Sequence, residues 1–215
     1  MTPRVDFRPG VFSAKNMAVK NFWDQRYAEK GFVYGHEPNE FFRKEIEKLK
    51  PGRLLLPGEG EGRNAAFAAS LGWDVVGFDQ SRQGKQKAME LAKLKNVSFD
   101  YQVADIETFD AEDESFDCLA LVFVHFPERE RKMLHKKLLS FLKPGGVLVI
   151  EVFSKDQLGK KSGGPQHLDL LYSAADLEED FKQLKDLQVF AMETQLKEGR
   201  YHEGMAAVIR LTGKK

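Results

Sequence analysis

The chain lacks most of the features that would force it into a specialised class. It has one cysteine, Cys118, in 215 residues. No internal disulfide can form, and a reducing compartment, the cytoplasm, is expected. It also lacks net charge, because 33 Lys+Arg offset 33 Asp+Glu. Proteins that grip nucleic acid usually carry a basic excess, since phosphate contacts dominate that affinity, so no nucleic-acid partner is expected. No apolar run is long enough to span a bilayer, which argues against a membrane partner. The first twenty residues carry scattered charges and two prolines without an apolar stretch, so no signal peptide is expected. Internal repeats and low-complexity tracts are missing as well.

What remains is an ordinary globular composition, 42% apolar and 31% charged, in a length that suits one α/β domain. Residues 1–18 read as an irregular arm. Residues 20–30 read as a helix carrying Phe22, Trp23 and Tyr27, and residues 40–50 as an amphipathic helix stopped by Pro51-Gly52. Strands are predicted at 53–57, 74–79, 97–103, 116–123 and 146–153. Helices are predicted at 63–71, 82–95 and 128–142, with Lys143-Pro144-Gly145-Gly146 as a turn. A Gly- and Lys-rich loop, 154–172, precedes a helix near 173–183. Strands at 186–196 and 203–212 follow without a helix between them and must pair antiparallel. The expected fold is a doubly wound, mostly parallel seven-stranded α/β sheet with a C-terminal antiparallel hairpin. It forms a single domain over 1–215, with 1–50 covering the site and 51–215 as the core.

Residues 56–64 read Leu-Pro-Gly-Glu-Gly-Glu-Gly-Arg-Asn, between an apolar strand and a helix. Gly58, Gly60 and Gly62 let a ligand approach the backbone, and the next helix aims free N–H groups at it. Asp79 closes the second strand, where a carboxylate can hold two ribose hydroxyls. Read as Gly60-x-Gly62-x-x-Ala65, the turn fits a loose dinucleotide fingerprint. Read as Gly58-x-Gly60-x-Gly62, it fits another class of nucleoside cofactor. A tight strand–helix turn with no ligand is the plain alternative.

Further residues carry a resemblance. Val103-Ala104-Asp105-Ile106 follows the third strand, Phe116-Asp117 opens the fourth, and Leu142-Lys143-Pro144-Gly145-Gly146 leads into the fifth. With the terminal hairpin, these make the chain from Phe22 onward resemble the class I S-adenosylmethionine-dependent methyltransferases, whose fold is Rossmann-like. Phe22-Trp23-x-x-Arg26-Tyr27 and Tyr34-Gly35-x-Glu37-Pro38-Asn39 look most like the small tellurite-resistance and thiopurine methyltransferase branch. The resemblance implies S-adenosyl-L-methionine as cofactor and S-adenosyl-L-homocysteine as product. It implies cofactor contacts from Gly58, Glu59, Gly60, Gly62, Arg63, Asn64, Asp79, Gln80, Ser81, Asp105, Ile106 and Phe123, and from Trp23, Arg26 and Tyr27. The family usually has an acid two places before the first glycine, where this chain has Leu56; Glu59 and Glu61 are the candidate substitutes. A nucleotide-dependent oxidoreductase and a non-catalytic cofactor-binding module are the competing readings.

In such sheets the ligand crevice lies beyond the C-terminal ends of the strands. His125, His167 and His202 fall in loops at that rim, with Phe153, Tyr172, Tyr201 and, from the arm, His36. Imidazole titrates near neutral pH, which makes His125 and His202 the candidate catalytic residues and His36, Phe153, His167, Tyr172 and Tyr201 the acceptor-binding set. Three histidines can also bind Zn²⁺, but no ligand spacing supports a metal, and none is expected. Rim histidines that merely bond the loops are the third reading. His135 sits on a charged helix face and is expected to be solvated. The 154–172 loop is read as a lid, and the partners as a small-molecule acceptor and, at most, a second copy of the chain.

Overall fold

Two apolar strand segments set the centre of the sheet. Arg53–Pro57 (β1) and Phe116–Val122 (β4) are buried on both faces, as near-continuous apolar runs in parallel sheets are. The computed structural model describes residues 14–215. Around those two strands lie Ala14–Tyr27 (α1), Glu40–Ile46 (α2), Arg63–Ser70 (α3), Asp74–Asp79 (β2), Arg82–Lys95 (α4) and Asp100–Val103 (β3). Then come Glu128–Ser140 (α5), Leu142–Phe153 (β5), Ala174–Phe181 (α6), Lys185–Lys197 (β6) and Glu203–Lys214 (β7). The seven strands are ordered β3-β2-β1-β4-β5-β7-β6, with β7 antiparallel to both neighbours and the other pairings parallel. This is the doubly wound sheet with a C-terminal hairpin expected from the alternation of elements.

Strand alternation divides the core in two. Leu54, Leu56, Cys118, Ala120 and Val149 face one way, against Phe42 and Ile46 of α2 and Ala65 and Ala68 of α3. Leu55, Leu119, Leu121, Leu148 and Ile150 face the other way, against Leu134 and Leu138 of α5 and Leu177 and Phe181 of α6. Local signals fix the ends. Ser81 accepts from Gly84 N–H at the start of α4, and left-handed Asn96 closes it. Ser173 and Asp176 form a reciprocal capping box on α6.

Several expectations are corrected. The arm's residues 1–13 lie outside the described residues, but 14–18 are helical, because α1 begins at Ala14. The second helix stops at Ile46 rather than running to 50, and the third strand starts at Asp100 rather than 97. Lys143-Pro144-Gly145-Gly146 is no free turn. Leu142 already pairs with Phe116, and Gly145 N–H bonds Lys215 O at 2.6 Å, so the segment is the first part of β5. His135 is not solvated. It is 1% exposed and its Nδ1 lies 2.8 Å from Asp180 Oδ2, which Arg131 also reaches at 2.7 Å. The charged neighbours in sequence belong to the helix faces beside it. Among the described residues no helix is long and apolar enough to cross a membrane.

One side chain ties the covering segment to the sheet. Asn39, fully buried, donates its Nδ2 hydrogens to Glu151 of β5 and to Glu198 Oε1 (3.0 Å) after β6. Its Oδ1 caps α2 by accepting from Phe42 N–H at 2.8 Å, and its own N–H bonds Asn64 Oδ1 at 2.9 Å. Removing that amide strips a partner from two buried carboxylates. Asn39→Ala is expected to lower stability by about 3–5 kcal/mol, and Asn39→Asp by no less, since it adds a third carboxylate. Urea unfolding at neutral pH reads this, and a loss below about 1 kcal/mol would show that the network is not a structural anchor.

Candidate functional site

The strand order reverses between β1 and β4, so the crevice opens at the C-terminal ends of those strands. The glycine turn stands there. Gly60 has φ +60°, and a Cβ on it would stand 2.5 Å from the Tyr27 hydroxyl, so only glycine fits. Asp79 sits at the end of β2, 7% exposed, and accepts from Gly60 N–H (3.2 Å) and Ser81 N–H (2.8 Å). Burial pushes its pKa up to about 6, against the pull of those two hydrogen bonds. Each carboxylate oxygen keeps acceptor capacity for a ligand hydroxyl. Asp105 is half-buried beyond β3, Ile106 packs on the core beside it, and Phe123 after β4 is held in a left-handed conformation at φ +56°. Gln80 is half-buried on the turn after β2.

The two acids of the glycine turn are committed elsewhere. Glu59 accepts from Ala65 N–H (2.7 Å) and Asn64 Nδ2 (3.3 Å), which caps α3. Burial drives its pKa up to about 7. Glu61 accepts from Val33 N–H (3.1 Å), Tyr34 N–H (3.0 Å) and Lys87 Nζ (3.0 Å). Leu56, where the family usually has an acid, is core.

The C-terminal part of α1 closes over this turn. Trp23 stacks on Tyr27 with centroids 5.4 Å apart, and Tyr27 lies buried on Gly60. Asp24 accepts from Ser81 Oγ at 2.6 Å and from Gln83 N–H at 3.3 Å. On the opposite side, Glu29 takes Arg200 (2.7 Å) and the Tyr201 hydroxyl (2.5 Å) from the β6–β7 turn.

A box of rings lies between the two. His202 meets Phe123 at 4.5 Å, Tyr34 at 4.6 Å and Phe153 at 5.3 Å, all edge to face, and Phe123 stacks on Phe153 at 4.5 Å. His202 is buried, and its Nδ1 has no hydrogen-bond partner; Glu198 Oε2 is 3.9 Å away. Burial opposes charge on Glu198, but Arg63, 2.6 Å from its Oε2, and the His202 ring bring its pKa down to about 2. Burial lowers the His202 pKa, against the pull of Glu198, and so favours the neutral ring. Gly163 of the 154–172 loop, at φ +114°, packs on this ring; a Cβ there would stand 3.3 Å from Nε2. That loop is held by fully buried Gln157, which bonds Gly163 O (2.9 Å) and Ala207 N–H (2.8 Å).

Of the catalytic and acceptor-binding candidates, His202 and Phe153 meet, and Tyr201 of the acceptor set lies beside Tyr34 at 6.1 Å. His125 does not offer a free nitrogen: its Nδ1 lies 2.7 Å from Leu170 O, and Nε2 takes Phe153 N–H at 3.3 Å. Loss of hydration pushes its pKa down to about 4. Tyr172 is core, with its hydroxyl accepting from Phe126 N–H at 2.6 Å. His167 and His36 are exposed, the latter against Phe32. Among the described residues no group of His, Cys, Asp and Glu is arranged to hold a metal, and the three rim histidines do not converge. Sequence reasoning missed Tyr34, Asn39 and Glu198. The first two stand in the quoted Tyr34-to-Asn39 motif, while nothing local marks Glu198. Two surface clefts, of about 490 and 730 Å³, lie away from these strand ends, beside α2 and the hairpin and between α3 and α4.

Residues 55–146 match the family described as methyltransferase domain. The chain is 28% identical over 135 residues to a glycine/sarcosine N-methyltransferase of Halorhodospira halochloris, across 60% of this chain and 47% of that protein. It is 31% identical over 127 residues to a probable thiol methyltransferase of Arabidopsis thaliana, across 57% and 54%. The chain thus spans about half the length of these curated relatives. Among solved structures, TehB from Haemophilus influenzae shares the fold at a TM-score of 0.69 and 15% identity, across 91% of this chain and 66% of that one. The domain match favours the second of the two cofactor classes that the glycine turn left open.

Glu59 gives a pH test. Its native pKa of about 7 exceeds the ordinary 4.5, so the native state holds the proton more tightly and loses stability as pH rises through that window. Glu59→Gln is therefore expected to gain on the unaltered protein between pH 5 and pH 8, by up to about 3 kcal/mol. Urea midpoints across that range measure it; a difference that does not change with pH would refute the burial account.

Proposed function

We propose that this class I S-adenosylmethionine-dependent methyltransferase transfers the methyl group to a small-molecule acceptor held in the ring box, with His202 taking the acceptor's proton. When bound, the cofactor supplies an electrophilic methyl carbon on a sulfonium. The observation that carries the reading is a buried imidazole at the mouth of a nucleoside-type crevice, walled by Phe123, Phe153 and Tyr34, with Nδ1 left unpartnered. The crevice fits the cofactor on its own terms: Gly60 leaves no room for a side chain, and Asp79 retains acceptor capacity at the end of β2.

The residues then divide the work. Asp79 holds ribose hydroxyls, while Asp105 and Ile106 border the base. Trp23 and Tyr27 close the cover and exclude water. His202 Nε2 removes a proton from a thiol, amine or hydroxyl as the new bond to carbon forms, and its Nδ1–H turns toward Glu198, whose charge Arg63 and Asn39 fix. Positioning of the nucleophile in line with the methyl and sulfur supplies most of the acceleration. A thiol acceptor is favoured by the similarity to the probable thiol methyltransferase, with chalcogen oxyanions and amines as the alternatives. His125 serves as a bracket between β5 and the 154–172 loop, because both its nitrogens are spent.

Three variants and one screen test these roles. Asp79→Ala weakens S-adenosylhomocysteine binding by about 1–2 kcal/mol, through lost charge-assisted hydrogen bonds; calorimetry showing unchanged affinity would remove Asp79 from the cofactor site. A screen of small thiols, amines and chalcogen oxyanions for S-adenosylhomocysteine release identifies the acceptor. On that acceptor, His202→Gln lowers kcat about 100-fold with cofactor affinity retained, and His125→Gln costs stability in preference to rate. Full turnover by the His202 variant would exclude the ring as the base.

A further inference from the structure

Arginine side chains around the ring box are paired with carboxylates, with one exception. Arg63 is 2.6 Å from Glu198, Arg200 is 2.7 Å from Glu29, and Arg210 is 2.6 Å from Glu151. Arg26 is half-buried and has no carboxylate within ion-pair distance among the described residues. Its guanidinium lies 3.7 Å from the centre of the Tyr201 ring and 4.8 Å from that of Phe22, and one N–H reaches the Tyr34 hydroxyl at 3.2 Å. The nearby Glu29 carboxylate attracts it through space, but the bonds Glu29 makes go to Arg200 and the Tyr201 hydroxyl. A fixed cation with four unspent donors beside aromatic rings is a receptor for a planar anion.

Its position says which anion. The rings that carry Arg26, Tyr201 and Tyr34, belong to the acceptor side, and Tyr34 is edge-on to His202. The glycine turn instead meets Val124, Tyr27 and Ala88. We infer that Arg26, with the Tyr34 hydroxyl, binds a carboxylate carried by an aromatic acceptor, opposite the atom that receives the methyl. This rests on the methyltransferase reading above. Arg26 is then a specificity residue of the acceptor, not a contact of the cofactor as the family resemblance implies.

The test uses the whole chain saturated with S-adenosylhomocysteine. Calorimetry compares 4-mercaptobenzoate with 4-mercaptobenzamide and 4-hydroxybenzoate with 4-hydroxybenzamide, so that only the anionic group differs within each pair. The carboxylates are expected to bind at least tenfold more tightly than the amides. Arg26→Gln should abolish that ratio and Arg26→Lys should keep part of it, with both variants checked for an unchanged melting temperature. Equal binding of acid and amide, or binding of neither, overturns the inference. So does a tenfold loss of S-adenosylhomocysteine affinity in Arg26→Gln, which would put the cofactor's own carboxylate on the arginine. If the unaltered chain fails to bind S-adenosylhomocysteine at all, the methyltransferase reading falls first, and the two failures are told apart.

Discussion

The structure depends on how buried carboxylates are satisfied. Asn39 faces two of them, Glu151 and Glu198, and reaches both with one amide. Arg210 takes the second oxygen of Glu151 and Arg63 the second oxygen of Glu198. An isolated buried carboxylate costs several kcal/mol, so each partner becomes a structural requirement rather than an ornament. These partners come from separate pieces of chain: the segment before α2, the start of α3, the end of β5, β7 and the β6–β7 turn. The need to pair charge therefore decides how the cover, the glycine turn and the hairpin sit together.

The site's electrostatics follow from the same constraint. Glu198 is held charged because Arg63 and the His202 ring outweigh its burial, whereas Glu59, with only a backbone N–H and an amide, titrates near neutrality. His202 lies next to the first of these and is itself pushed toward the neutral form by burial. A neutral imidazole beside a permanently charged carboxylate is poised to accept a proton, because the positive charge it gains has a partner already in place. The same ring without Glu198 would keep only influences that oppose its charge, burial and the nearby Arg63 and Arg26 cations.

Sequence periodicity carried the sheet, because β1 and β4 are apolar enough to name themselves and alternation with helices leaves few topologies. It failed where backbone pairing overrides local signals. Pro144-Gly145-Gly146 has the composition of a turn, yet partners on Phe116 and Lys215 draw the segment into β5. The histidines show the same limit in the site. Position along the chain brought His125 and His202 to one rim, but it could not show that backbone groups consume both nitrogens of His125 and leave Nδ1 of His202 unpartnered. His135 was misplaced because charged neighbours in sequence say nothing about Asp180, forty-five residues away.

The departure at Leu56 has a physical answer of the same kind. A carboxylate there would stand in a fully apolar layer with Cys118, Ala120 and Val149 and no partner. The turn instead carries Glu59 and Glu61, and these spend their oxygens on the start of α3 and on the backbone of Val33 and Tyr34. Acidic groups that stand in the ligand turn thus hold the protein cover in place. The glycine turn and the segment that closes over it become one hydrogen-bonded unit, joined again through Asp24 to the start of α4. Any ligand seated on the turn is bound by a surface whose lid is already attached. Glu61 and Asp24 therefore hold in place the cover that faces the Asp79 carboxylate.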